Sequence, residues 1–166
     1  MVPRIKRVIC VMKKEIEEAF KRVNASYVKD EQVRQKAADQ KKSEQERRIA
    51  AWKGKTEDVV TPALEEIADR VLRPAGWTCI IGGAHAGKPG VSMQVFREGM
   101  GIGGSASRPN ISFFMDRTGE IWSHSQTRSQ TGGDSPRLIL DQITTEKVQE
   151  CALTFFEWLA GERGYN

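Results

Sequence analysis

The residues most suggestive of chemistry form a glycine-rich stretch at positions 82–88, whose spacing matches the phosphate-binding pattern GxxxxGK. Such a loop needs a serine or threonine after the lysine to hold magnesium, and a helix whose N-terminal amides receive the phosphate. Here Pro89 follows Lys88, and the residues after it alternate between apolar and polar as a strand does. We therefore expect a hairpin loop and no nucleotide hydrolysis.

The other candidate motifs are weaker. Residues 101–106 match GxGxxA, but they lead into Pro109 and a strand instead of the helix that a dinucleotide site requires. His85 and His124 lie far apart, with no cysteine or carboxylate at ligand spacing, and Cys79 and Cys151 fall on apolar stripes typical of core thiols. The sequence therefore predicts no cofactor, no metal site and no catalytic set.

One constellation fits an anion site. In an up-and-down sheet, the connection between the second and third strands and that between the fourth and fifth lie at the same end. Backbone amides of glycines and two arginines at that end could receive a carboxylate or a phosphate, as in a small anion-binding domain or enzyme. The alternative is a set of ordinary polar loops. The candidate residues are Gly101, Gly103, Gly104, Ser105, Arg108 and Arg128.

The periodicity after Trp77 predicts consecutive strands at 77–81, 91–97, 110–115, 120–126 and, more weakly, 137–142. Asp116-Arg117-Thr118-Gly119 predicts a tight hairpin turn. An amphipathic helix follows, capped by Thr144 or Thr145 and ending at Gly161. Strands without intervening helices exclude a doubly wound parallel sheet, so the predicted fold class is α+β with an antiparallel meander.

The N-terminal region predicts a long basic helical arm. Its apolar positions are spaced by four and three residues in turn, which is the heptad pattern of a coiled coil. Phe20 and Tyr27 widen this stripe, and a break around residues 24–26 would let the helix fold back instead of projecting. Gly54 is predicted to end the arm, and Pro62 to begin a second helix. The seam residues are Ile5, Ile9, Met12, Ile16, Ala19 and Val23.

The distribution of charged residues divides the chain of 166 residues at the end of this arm. Residues 1–55 hold 16 Lys/Arg and 8 Asp/Glu, so their net charge is +8. The whole chain has a net charge of +4, so residues 56–166 carry a net charge of −4. We therefore predict a basic arm at 1–55 and one α+β domain at 56–166. A basic arm favours weak, sequence-independent contact with nucleic-acid phosphates at most, or contact with its own acidic body.

The alternation also leaves an unusual second sheet face. One face carries the core-forming residues, but the opposite face offers Ile80, Phe96, Phe114 and Trp122, where water would favour polar residues. The helix at 60–72, the N-terminal helix or a second subunit should cover it. The leading hypothesis is a non-enzymatic, cytoplasmic interaction or adaptor protein. It would form a homo-oligomer, most simply a dimer, or bind a protein partner, without membrane contact; nucleic-acid binding through the arm is the alternative.

Overall fold

A computed structural model describes residues 3–83, 88–97, 108–127 and 136–161, with side chains described from Lys13 onward. The chain divides into two compact units, residues 1–45 and 46–166. The fold is α+β, as predicted from the sequence. The helices are α1 (Pro3–Lys55), α2 (Thr61–Ile67) and α3 (Thr145–Gly161), with π-helical turns at Thr56–Val60 and Ala68–Leu72 and a 3-10 turn at Leu140–Gln142. The strands are β1 (Thr78–Gly83), β2 (Gly90–Phe96), β3 (Asn110–Met115), β4 (Ile121–Gln126) and β5 (Arg137–Leu138).

Helical structure continues where the sequence predicted that it would end. α1 passes through Gly54 into the π turn Thr56–Val60 and then α2. It also has no break at residues 24–26, where the sequence left a broken and an unbroken helix as alternatives. Pro62 has no N–H to donate to the preceding turn, a defect that usually ends or kinks a helix. The π turn just upstream, in which Thr61 N–H donates to Thr56 O, carries the chain past that defect.

The helical segment ends just before Arg73-Pro74, since the residue that precedes a proline disfavours the α conformation. The second π turn ends at Leu72, and the next three residues turn the chain back toward the sheet. Trp77 N–H donates to Leu72 O at 2.9 Å, and Gly76 N–H donates to Arg73 O at 3.0 Å. Gly76 has a φ of +81°, a left-handed conformation that glycine adopts at low cost after a helix.

The sheet is the predicted antiparallel meander with strand order β1-β2-β3-β4-β5. Cross-strand pairs such as Met93 with Ile111 and Phe113 with Ser123 fix the register. The fifth strand is shorter than predicted. It pairs with β4 only through Arg137 and Leu138, and the chain then turns into the 3-10 segment.

One hydrophobic core lies on a single face of the sheet, here called the first face. Its strand residues include Met93, Val95, Ile111 and Phe113, all fully buried. The helix at 60–72 buries its apolar side in this same core, so the hypothesis that it covers the opposite face is wrong. Trp52 also belongs to the core, although the sequence analysis placed it in the arm. The helical core residues are Trp52, Val60, Ala63, Leu64, Ala68, Leu72, Val148, Ala152, Phe155 and Leu159.

Helix α3 has the predicted cap and the predicted buried face. Thr144 Oγ1 accepts a hydrogen bond from Lys147 N–H at 3.3 Å, which satisfies one of the free amides of the first turn. Phe155 is fully buried and its ring lies 5.2 Å from the ring of Phe156. Its buried residues belong to the same core as those of the strands, so the helix covers the first face.

The β3–β4 hairpin is organised by Asp116. Its Oδ1 accepts hydrogen bonds from the hydroxyl and the N–H of Thr118 and from Glu120 N–H, while Oδ2 accepts from Trp122 Nε1 at 3.1 Å. The Thr118 hydroxyl is the largest cause that lowers the pKa of Asp116 to about 2, and the backbone and indole donors add to it. Gly119, with a φ of +85°, completes the turn.

This network predicts a pH effect on stability. The pKa of Asp116 is lower in the folded chain than its ordinary value of 3.8, so the ionised carboxylate stabilises the fold above that value. The contribution is lost as the pH falls from about 4 to about 2. We expect Asp116→Asn to flatten the pH dependence of the free energy of unfolding in that range, measured by urea titration. The exposed Asp141→Asn serves as control, and an unchanged slope in Asp116→Asn would contradict the role of this carboxylate.

Candidate interaction surfaces

The first candidate surface is an apolar stripe on α1. Ile16, Phe20, Val23 and Tyr27 are spaced by four, three and four residues and therefore lie along one side of the helix. Their exposed fractions are 64%, 71%, 52% and 72%. Every described side chain from residue 13 to residue 51 is exposed. Large apolar side chains in this number, on one helix side and in water, are typical of a protein-binding surface.

The predicted seam begins earlier in the same helix. Ile5, Ile9 and Met12 lie within α1, but their side chains fall outside the described residues. Ile16 and Val23 are the predicted seam residues that the description covers, together with Ala19, and all three are exposed. The helical part of the prediction is confirmed, while the partner of the seam stays a prediction.

The second candidate surface is the sheet face opposite the core, here called the second face. Cross-strand pairing places its residues in rows, so that Phe114 lies beside Trp122 and Ser112 beside His124. None of the described strand positions on this face is an aspartate or a glutamate. They are Thr78, Ile80, Gly82, Gly90, Ser92, Gln94, Phe96, Asn110, Ser112, Phe114, Trp122, His124, Gln126 and Arg137.

Cations lie over two aromatic rings of this face. The Lys88 ammonium nitrogen is 4.2 Å from the centroid of the Phe114 ring, and the Arg108 guanidinium carbon is 4.3 Å from that of Phe96. Phe96, Phe114 and Trp122 are half-buried. The apolar patch predicted for this face is thus an aromatic and cationic surface, with each cation–ring contact contributing about 0.5–1 kcal/mol or more where water is excluded.

Of the residues predicted for the anion site, the structure describes Arg108. Gly101, Gly103, Gly104, Ser105 and Arg128 lie outside the described residues. Arg108 Nε is buried and has no hydrogen-bond partner among the described residues. Asn110 Nδ2 donates to Arg108 O at 3.1 Å, and Asn110 pairs across the ladder with Gln126. The described part of this sheet end therefore joins an arginine with two amide side chains.

The motifs that resembled catalytic sites have structural surroundings where they are described. β1 and β2 pair as antiparallel neighbours through Gly83 and Val91, so the GxxxxGK segment joins two strands instead of a strand and a helix. Burial raises the pKa of the Cys79 thiol, which disfavours the nucleophilic thiolate at neutral pH. In the described ranges no cluster of three or more His, Cys, Asp or Glu side chains is placed to hold a metal ion.

A small cavity of about 220 Å³ lies beside the β3–β4 hairpin. Arg48, Glu120 and Arg137 line it together with apolar side chains from β3, β4 and β5. Arg137 Nη2 is 2.9 Å from Glu120 Oε1, so this pair neutralises its own charge. The arrangement has the form of an ordinary surface ion pair.

Sequence reasoning identified the aromatic residues of the second face but missed the role of Lys88. It considered that lysine only as a phosphate-loop residue. The available signal was its position just before Pro89 and β2, which places it next to the paired rows of β2 and β3. Among the described residues, no helix is long and apolar enough to cross a membrane. No family model, curated protein or solved structure matches the chain.

Proposed function

We propose that the protein is a non-enzymatic interaction protein whose copies associate in pairs through the apolar stripe of α1. The exposure of Ile16, Phe20, Val23 and Tyr27 along one helix side is the observation that carries this proposal. Each of these large side chains contributes about 1.5–3 kcal/mol when it is transferred from water to a packed interface. A second copy of the same helix offers an apolar surface of matching length and period.

The helix has little else to stabilise it. A helix in water is marginal by propensity alone, and most helical stability in proteins comes from packing of an amphipathic face. Residues 13–51 have only exposed side chains, and many of them are charged. Pairing along the stripe supplies the missing packing while the charged sides remain in water.

The residue types in the seam fit a coiled coil of two parallel helices. If Ile16 is an a position, then Ile9 and Val23 are also a positions, while Met12 and Ala19 are d positions. β-branched residues at successive a positions fit parallel dimers, in which leucine is usual at d, whereas the d positions here hold Ile5, Met12 and Ala19. Two-fold pairing is also the commonest form of self-association. We therefore assign the second copy, in parallel orientation, as the occupant of the stripe.

The flanking positions fit the same arrangement. Phe20 and Tyr27 become e positions, and Arg22 becomes a g position. In a parallel pair a g residue lies beside the following e residue of the other helix. Arg22 would then lie against Tyr27 of the partner subunit, a cation–ring pairing that suits these two side chains.

Charged substitutions in the stripe test this function. In the double variant Ile16→Asp/Val23→Asp, each copy of the pair would bury two carboxylates in an apolar seam. We expect the dissociation constant of the dimer to rise at least about a hundredfold, because two apolar contacts per chain are lost and burial of charge is costly. Light scattering after size exclusion measures the mass, and circular dichroism at matched concentrations measures the helix content.

The matched control is Asn24→Asp/Ala25→Asp, which adds the same charge to the same helix but away from the seam, at b and c positions. We expect this control to keep the dimer. Equal weakening in both double variants would assign the effect to charge or to helix propensity, and would contradict a seam at Ile16 and Val23.

A further inference from the structure

The second face has the chemical character of a surface for single-stranded nucleic acid, and this inference is independent of the self-association proposed for α1. Its described strand positions carry aromatic rings, amides, hydroxyls and Arg137, whose charge is neutralised by Glu120. A carboxylate reaches the face from the β3–β4 turn, where Asp116 Oδ2 accepts a hydrogen bond from Trp122 Nε1. Lys88 and Arg108 add two cations held over its rings. Charge complementarity therefore favours an anionic ligand with planar groups.

Arg108 is built as an anion receptor. Its guanidinium stacks on the Phe96 ring at 4.3 Å, which fixes the plane of the group. Stacking uses the faces of a guanidinium and leaves its in-plane N–H donors available for a forked contact with phosphate. Its Nε is buried without a hydrogen-bond partner in the described part of the chain, so a phosphate would be met by the two Nη groups at the end of the side chain.

The second cation lies at the other end of the face. Lys88 is over Phe114, which pairs across the sheet with Gly90, whereas Phe96 is six residues further along β2. At about 3.3 Å per residue, the two cation–ring pairs are roughly 20 Å apart. An extended strand of several nucleotides spans such a length, with phosphates near both cations.

Groups suited to bases lie near both ends of this span. Trp122 lies beside Phe114 and offers a large, half-buried ring. Gln94, Asn110 and Gln126 form a cross-strand row of amides. Aromatic rings on a sheet surface can stack on unpaired bases, and amide side chains can form hydrogen bonds with the edges of those bases. In a duplex the same base edges are paired in the interior and are not accessible.

We propose that the second face binds single-stranded nucleic acid, with Arg108 and Lys88 contacting phosphates and Trp122 stacking on a base. This placement differs from a contact through the basic arm, because it depends on one face of the sheet. An acidic peptide would satisfy the cations but would leave the ring and the amide row without planar partners.

Fluorescence anisotropy of the full chain tests the proposal with labelled oligothymidine and oligouridine of about 12 nucleotides and a duplex of equal length. We expect the single strands to bind more tightly than the duplex. Arg108→Gln and Lys88→Gln should each weaken binding about fivefold to tenfold at low salt. Each should also reduce the slope of log affinity against log salt by about 0.7, the value for one lost phosphate contact on a single strand. Trp122→Leu should weaken binding about tenfold through lost stacking.

The matched control is Arg97→Gln. Arg97 also stacks on an aromatic ring, that of Trp77 at 4.9 Å, but Trp77 packs against the core on the first face. This control loses the same charge from the same sheet end and should change affinity less than about twofold. The double variant Lys41→Gln/Lys42→Gln removes two charges from α1 and tests in the same way whether that helix contributes to the affinity. Thermal unfolding confirms that each variant is folded, and Lys88→Gln, at an exposed position, keeps the test valid if Trp122→Leu is unstable.

Several results would overturn the proposal. They are no binding of any probe by the unmodified chain, tighter binding of the duplex, equal losses in Arg97→Gln and Arg108→Gln, or a loss confined to the α1 double variant. A polyglutamate peptide that displaces the oligonucleotide at equal concentration would also overturn it, because charge alone would then explain the binding.

Discussion

Replacing Trp52 with alanine is expected to destabilise the unit formed by residues 46–166 by about 3–5 kcal/mol. The side chain is fully buried among helix and sheet residues of the core, and its removal leaves a cavity that the sheet cannot fill. Trp52 Nε1 also donates to Pro89 O at 2.9 Å, which fixes the segment just before β2. Urea unfolding followed by far-ultraviolet circular dichroism measures the loss.

Two further variants separate the contributions of Trp52. Trp52→Phe keeps most of the buried area but loses the N–H donor. Since Pro89 O also accepts from Met115 N–H at 2.9 Å, this change should cost only about 0.5–1.5 kcal/mol beyond the lost volume. Lys53→Ala, one residue further along the helix and exposed, should stay within about 0.5 kcal/mol of the unmodified chain. A Trp52→Ala chain as stable as Lys53→Ala would contradict the buried anchor.

Replacing Gly90 with alanine is expected to cost at least about 2–3 kcal/mol. A Cβ atom at Gly90 would lie 2.0 Å from Phe113 O and 2.8 Å from Phe114 Cα. Both atoms belong to the backbone of the paired strand, so neither moves as a flexible side chain would. The substitution must therefore push β2 away from β3 at the position where Gly90 pairs with Phe114.

Gly82 provides the comparison, because a Cβ atom there meets nothing within 4 Å. We expect Gly82→Ala to be neutral or to stabilise the chain by up to about 1 kcal/mol, since alanine restricts the unfolded chain more than glycine does. The same urea titration measures both variants. Equal stability of Gly82→Ala and Gly90→Ala would contradict the close approach of β2 and β3.

The alternation of apolar and polar residues was sufficient to predict the sheet. Residues 110–115 form β3 with the predicted bounds, and Asp116–Gly119 form the predicted turn. Period-two patterning fixes which residues share a face, so the separation of Met93 and Phe113 from Phe96 and Phe114 followed directly. Local rules suffice here because neighbouring strands pair in chain order.

Helix ends and helix partners were harder to predict. Gly54 and Pro62 are local signals for a helix end, but the π turn Thr56–Val60 and the burial of Trp52, Val60 and Leu64 outweigh them. Tertiary packing of that strength has no local signature. The hypothesis that residues 60–72 cover the second face failed for a related reason. An apolar stripe shows that one side of a helix is buried, but it does not show which face of the sheet that side packs against.

The cationic character of the second face depends on residues that lie outside the strand pattern. Lys88 and Arg108 stand just before β2 and β3, where period-two arguments do not apply. Their positions over Phe114 and Phe96 follow from the register of the two hairpins and from the path of the chain entering each strand. The sequence thus predicted the aromatic residues of this surface and offered Arg108 for an anion site. The structure adds the positions of Lys88 and Arg108 over the rings, which distinguish the surface from an ordinary apolar patch.

Sedimentation equilibrium of the unmodified chain tests self-association through α1 most directly. The exposed stripe predicts an apparent mass that rises with protein concentration from the 18.6 kDa of one chain toward twice that value, with no larger species. The helix content should rise over the same concentrations, because pairing stabilises α1. A mass that stays at 18.6 kDa up to about 1 mM, where even an association of only about 4 kcal/mol would be evident, would contradict the account.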